Sequence, residues 1–113
     1  MIEEYYFDDF YRVILVEEEG GYTLSVDVYL PYWPFGEYEK SCVQTDEKEV
    51  CLLFKELEMS EFTDLVEKVV VTGSLIGGEY ETINVKYFLK KRPSTEEVRQ
   101  LYEYAPKLLS HKR

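Results

Sequence analysis

The chain has 113 residues, of which 45% are hydrophobic and 32% charged, with a formal net charge of -10. Such a composition is too apolar for a disordered chain and too evenly broken by charge for a bilayer span of roughly 20 apolar residues, and the length suits one domain with one core. The negative charge disfavours general nucleic-acid binding, whose affinity comes from Lys and Arg neutralising phosphates.

The chain begins Met1-Ile2-Glu3-Glu4, acidic where a secretory signal carries positive charge, so the expected location is cytoplasmic (the host cytoplasm, if the source is a virus). Phe10 to Val16 and Leu24 to Leu30 read as two strands joined by Glu17-Glu18-Glu19-Gly20-Gly21-Tyr22. Leu24, Val26, Val28 and Leu30 alternate with polar positions, so one face should be core. Next comes Tyr29-Leu30-Pro31-Tyr32-Trp33-Pro34-Phe35-Gly36-Glu37-Tyr38. Its aromatics, on a backbone stiffened by prolines, either present a contact site at low entropic cost or fold inward as a plug over the sheet.

Asp46, three residues before Glu49, resembles a capping box, and Val50, Leu53, Phe54 and Leu57 follow at helical spacing, predicting a helix over 47–58. Ser60 starts a second, shorter helical pattern through Phe62, Leu65, Val66 and Val69. Cys42 and Cys51 are the two cysteines. If Thr45 to Lys48 were instead a turn between strands, Cys42 would lie opposite Cys51, with Val43 opposite Val50. An intramolecular bond is the expectation, and two buried free thiols are the alternative.

Val69 to Ile76 and Thr82 to Leu89 flank Gly77-Gly78-Glu79 as a second hairpin. Pro93 ends it, Ser94 and Glu97 form a capping box, and Val98, Leu101, Tyr102 and Ala105 line one face of a last helix up to Pro106. The expected fold class is therefore α+β. It is a two-layer β-β-α-α-β-β-α arrangement, with a mostly antiparallel sheet built from two hairpins and helices on one face. One acidic domain over 1–106 is followed by a basic tail over 107–113. Thr23 to Pro34 aligns with Thr82 to Pro93 at a constant offset, either as an internal duplication or because two hairpins meet the same demands.

Charge is unevenly placed. Met1 to Val85 holds 20 Asp/Glu against 5 Lys/Arg, whereas Lys86 to Arg113 holds 3 against 8. Ala105 is the sole alanine and Asn84 the sole asparagine, amid abundant Glu, Lys, Val and Tyr. Scarce amides with Glu and Lys enrichment are a hyperthermophile tendency. In composition alone, the chain resembles small proteins encoded by viruses and plasmids of heat-loving archaea; the resemblance covers no motif.

Catalytic chemistry is sparse. His111 is the only histidine, in the basic tail, and no CxxC or HxxxH pairing is present to hold a metal. Gly73 to Gly78 lacks the Gly-Lys-Ser/Thr ending of a phosphate loop and reads as a turn. Asp27 with Asp46-Glu47-Lys48 has the bare outline of a metal-dependent nuclease, which is the second alternative.

The expected function is that of a small acidic protein, not an enzyme and without cofactor or metal. It binds a basic protein surface and acts as an inhibitor where that surface is a nucleic-acid-binding site. The partner-binding residues would be Tyr29, Tyr32, Trp33, Phe35 and Tyr38 with Glu17, Glu18 and Glu19. The first alternative is a structural homo-oligomer such as a homodimer. No duplex DNA and no membrane are expected among its partners.

Overall fold

A computed structural model describes residues 1–7, 12–28, 30 and 32–110, the side chains of 80–82 excepted. Its strands are β1 (Ile2–Tyr6), β2 (Arg12–Glu18), β3 (Gly21–Val28), β4 (Glu39–Gln44), β5 (Glu49–Leu57), β6 (Val66–Ile76) and β7 (Glu79–Leu89), followed by one helix, α1 (Thr95–Leu109). The strands form a single sheet in the order β1-β2-β3-β7-β6-β5-β4, every neighbouring pair antiparallel.

The two hairpins read from the sequence are present as β2–β3 and β6–β7, and the last helix starts as expected. The start of the first strand at Phe10 lies outside the described residues. Ser94 Oγ accepts from the Glu97 N–H at 3.1 Å, while the Ser94 N–H donates to Glu97 Oε1 at 2.9 Å, satisfying donors at the helix start. Helix α1 continues through Pro106 to Leu109, which is buried, so Lys107 belongs to the helix.

The expected two-layer α+β fold in the order β-β-α-α-β-β-α is overturned: the described chain is mostly one seven-stranded antiparallel sheet with a single C-terminal helix, and the error lies in the middle of the order. Residues 47–58 are not a helix but the end of a turn and strand β5. Thr45 closes that turn on Lys48, donating from its N–H and its hydroxyl to the Lys48 carbonyl at 2.9 and 2.6 Å. The apolar run Val50-Cys51-Leu52-Leu53-Phe54 fits a stripe at helical spacing, yet it equally fits a strand apolar on both faces, and pairing with β4 and β6 decides. Residues 60–65 likewise form a turn instead of a helix. The N–H groups of Leu65 and Val66 both donate to the Phe62 carbonyl, and Phe62 takes a φ of 59°. Strand β1 was not expected, and β4 appeared only in the alternative that made Thr45 to Lys48 a turn between strands.

Register explains where the core lies. Val13 and Leu15 of β2, Leu24 and Val26 of β3, Ile83, Val85 and Tyr87 of β7, and Val69 and Val71 of β6 share one face, and Val98, Leu101, Ala105 and Leu109 of α1 pack on it. Each such Val, Leu or Ile side chain contributes about 1.5–3 kcal/mol through burial. Thr23–Pro34 and Thr82–Pro93, which align in sequence, contribute most of β3 and of the central strand β7, its neighbour. Val26 pairs with Val85, Leu24 with Tyr87 and Val28 with Ile83, so a local two-fold axis passes through the Val26–Val85 pair.

From β3 the chain must pass β7, β6 and β5 to reach the edge strand β4. The described residues of the connection, 30 and 32–38, lie on the helix side, where Leu30, Trp33 and Phe35 pack against the core. Helix and crossing segment thus close the same face.

The β4–β5 register places Cys42 opposite Cys51 and Val43 opposite Val50, as the turn reading of Thr45 to Lys48 requires. The two cysteines are at disulfide distance, with their Cα atoms 4.0 Å apart. A bond closing so short a loop contributes about 2–3 kcal/mol in the chain-entropy picture. Thiol titration of the unfolded, unreduced protein should find no free thiol; two per chain would overturn the bond.

Candidate interaction surface

The crossing segment divides its aromatics between two roles. The Trp33 ring meets Phe35 edge-on at 5.4 Å between centroids and Tyr38 at 6.0 Å, and both Trp33 and Phe35 are half-buried. Its indole Nε1 is buried without a hydrogen-bond partner among the described residues. Tyr32 and Tyr38, by contrast, are 58% and 48% exposed. Tyr29 lies outside the described residues. The segment is therefore a plug whose outer rings remain available for contact.

Glu17, Glu18 and Glu19 lie at the β2–β3 turn, all exposed, and the Tyr22 hydroxyl donates to Glu17 at 3.2 Å. That turn adjoins Gly21 at the start of β3, whereas the crossing segment leaves from Val28 at its end. At the usual strand rise, the eight residues of β3 hold the two halves of the expected site roughly 24 Å apart. The two halves are therefore not one local cluster, and only a partner footprint of standard size, about 800 Å², would span both.

The acidic end is better defined than the sequence indicated. Glu18 and Glu19 are joined by Glu67 of β6 around a shallow cleft of about 190 Å³ that also reaches Phe88 of β7. Lys68 and Lys86 stand over the Phe88 ring, at 4.9 and 5.9 Å from its centroid. The basic run after β7 is partly engaged within the fold. Arg92 pairs with Glu3 at 2.6 Å, and Lys90 Nζ donates to the Thr63 carbonyl at 2.8 Å. The Tyr5 phenol and then the Arg92 guanidinium hold the Glu3 carboxyl below the usual carboxylate range. Among the described residues, the ion pairs are Arg12–Glu4, Lys55–Glu37 and Arg92–Glu3. Glu18, Glu19 and Glu67 have no cationic partner in that set.

The nuclease outline does not assemble. Asp27 sits on β3, where it accepts from Asn84 Nδ2 at 3.0 Å, while Asp46 to Lys48 lie in the β4–β5 turn. Three strand spacings separate β3 from β5, roughly 14 Å, too far for carboxylates sharing one ion. His111 lies outside the described residues. Among the described residues, Cys42, Glu49 and Cys51 have ligand atoms within 4.8 Å of one another, but the two sulfurs face each other at disulfide distance. Gly77 and Gly78 form the two-residue β6–β7 turn with φ of 61° and 87°, the left-handed region that such turns demand of both central residues. No phosphate loop is formed there.

One surface was missed in the sequence. The sheet face opposite α1 has no covering element among the described residues, and it carries Val43, Val50, Leu52, Phe54 and Val70 from β4, β5 and β6. Val43 and Leu52 are 62% and 45% exposed. The signal was the run Val50 to Phe54, which as a strand must turn apolar side chains both ways. The helical reading used only Val50, Leu53, Phe54 and Leu57 as a stripe and gave Leu52 no face.

No family model, no curated protein and no solved structure matches the chain. Fold and surface together define a small antiparallel-sheet protein, closed on one face by a helix and a crossing segment and open on the other. No helix of the described residues is long and apolar enough to cross a membrane.

Proposed function

We propose that this protein is a non-catalytic interaction protein that uses its acidic end to bind a basic protein surface. The observation that carries the reading is the grouping of Glu18, Glu19 and Glu67, exposed and without cationic partners among the described residues, around one shallow cleft. Carboxylates held this close raise the local negative potential, which steers a basic partner and sets the salt dependence of encounter. Duplex DNA is repelled by the same field. Where the partner's basic surface is its nucleic-acid site, binding would occlude it.

Replacing Glu17, Glu18 and Glu19 together by Gln tests this directly. Capture of a partner from the native cell should slow several-fold, and its dependence on salt should weaken, because rim charges act mainly on association rate. The variant should melt as the wild type does. Equal capture by both proteins at low and high salt would remove the acidic end from the site.

A structural homo-oligomer is the second reading, favoured by the apolar sheet face and the outer edges of β1 and β4, which no other described residue covers or pairs. Mass in solution at low and high salt separates the two, since apolar association survives salt and charge-steered binding does not.

A further inference from the structure

A well-formed cavity lies away from the acidic end. It opens between the last turns of α1, the end of β5 and the crossing segment, with a volume of about 330 Å³. That volume falls within the range of roughly 300–1,000 Å³ typical of small-molecule sites. Phe35, Leu57 and Leu108 provide its apolar wall, and all three also pack on the core, so the wall is held in place by the fold.

The chemistry of the remaining lining is unusual for this chain. The protein has 13 Lys and Arg against 23 Asp and Glu, yet two lysines, Lys55 and Lys107, line this cleft. The Lys55 side chain is only 28% exposed, and its one ion pair is a loose contact of 3.7 Å with Glu37, whose own side chain is 91% exposed. A ligand anion could displace that glutamate easily, because an exposed pair contributes little. Ser60 and Tyr104 add hydroxyl groups to the lining. Burial, and then the charge and hydrogen bond of the neighbouring Glu61, raise the pKa of Tyr104 above the ordinary tyrosine range.

We infer that this cleft binds a small organic monoanion with an apolar body, of the aryl- or alkyl-carboxylate class. The body lies against Phe35, Leu57 and Leu108, and the carboxylate lies between the ammonium groups of Lys55 and Lys107. Glu58 also lines the cleft, and Glu61 and Glu103 lie beside Tyr104 and Lys107 in the adjoining pocket, so the two ammonium groups would hold the carboxylate locally within an otherwise acidic surround, which disfavours dianions such as phosphate esters. This site is independent of the acidic end and of its proposed partner.

The test uses anilinonaphthalene sulfonate, an aromatic monoanion that fluoresces when desolvated, with phenylbutyrate as competitor and the uncharged phenylbutanol as control. The wild type should bind the dye. Phenylbutyrate should displace it, and phenylbutanol should do so far less well. Lys107→Glu and Lys55→Gln should each weaken binding about tenfold, the loss of one charge-assisted hydrogen bond. Lys68→Glu on the open sheet face should leave binding unchanged. Circular dichroism confirms that each variant is folded, and two independent lysines guard against one of them failing to fold. The site is overturned if the dye does not bind, or if phenylbutanol competes as well as phenylbutyrate. It is also overturned if binding survives both lysine changes and is lost in Leu52→Lys, which would place the dye on the open sheet face.

Discussion

Replacing Trp33 by Ala should lower the stability of the protein by about 3 kcal/mol, at the lower end of what large-to-small aromatic changes cost in cores. The ring is half-buried and holds Phe35 and Tyr38 edge-on, and it packs against the core as part of the segment that carries the chain from β3 to the edge strand β4. Its removal leaves a void that α1 cannot fill. The indole Nε1 is buried without a partner among the described residues, and an unsatisfied donor of this kind costs about 1–3 kcal/mol. Trp33→Phe should therefore be much milder than Trp33→Ala, because it keeps most of the apolar contact and removes the orphaned donor. Tyr32→Ala, at 58% exposure, should change stability by no more than about 0.5 kcal/mol. Urea midpoints for the three variants decide the matter. An unchanged midpoint for Trp33→Ala would mean that the segment does not plug the core. Tyr32 then serves as the clean probe of contact: loss of partner capture in Tyr32→Ala, with wild-type melting, would make the outer face of the segment a recognition surface.

How much of this was legible depended on whether local pattern and long-range pairing agreed. Leu24, Val26 and Val28 in β3, and Ile83, Val85 and Tyr87 in β7, alternate strictly, and glycines stand at the turns beside them, so both hairpins could be read. Ser94 and Glu97 fixed the start of α1 because capping is a local interaction. Pro106 was a poorer guide to its end. Buried Leu109 keeps the final turn on the core, and the Ser110 N–H bonds to the Pro106 carbonyl at 3.0 Å. Strand β4 was legible only through the spacing of Cys42 and Cys51 about a turn, because all six of its residues are exposed and burial imposes no period on it. Strand β1 alternates only at the margin of burial. Strand β5 was misread since a short run apolar on both faces carries no helix-or-strand signal of its own. That one misreading also hid the open sheet face. Of the candidate site, the residue types were visible in sequence, but their separation was not, because only the pairing of β3 with β2 and β7 sets the acidic turn and the crossing segment at opposite ends of one strand.

Tyr87 should be the most consequential single side chain in the centre of the fold. It is fully buried on β7, and its hydroxyl donates to the Leu101 carbonyl of α1 at 2.7 Å, tying helix to sheet at the middle of both. Tyr87→Ala should cost about 4 kcal/mol, as the loss of a whole buried ring does. Tyr87→Phe keeps the ring and should cost about 1 kcal/mol, the usual net worth of one hydrogen bond, since the Leu101 carbonyl sits mid-helix and retains its helical partner. The same group makes the protein sensitive to alkali. Burial first, and then the nearby Tyr104, push the Tyr87 phenol well above the ordinary tyrosine range, so the native state keeps a proton that the unfolded chain gives up near pH ~10. Above that point the unfolded state binds fewer protons than the native state, and stability falls as pH rises, by about 1.4 kcal/mol per pH unit for one such group. Below it the contribution is fully present. Urea unfolding followed from pH 8 to 11.5 should therefore steepen downward in the wild type near pH ~10, whereas Tyr87→Phe, with no proton to lose at this position, should show a shallower decline, so that its deficit relative to wild type narrows as the pH is raised. Parallel pH profiles for the two proteins would mean that the Tyr87 phenol ionises within the fold as freely as it does outside it, and that its tie to Leu101 is not buried as described.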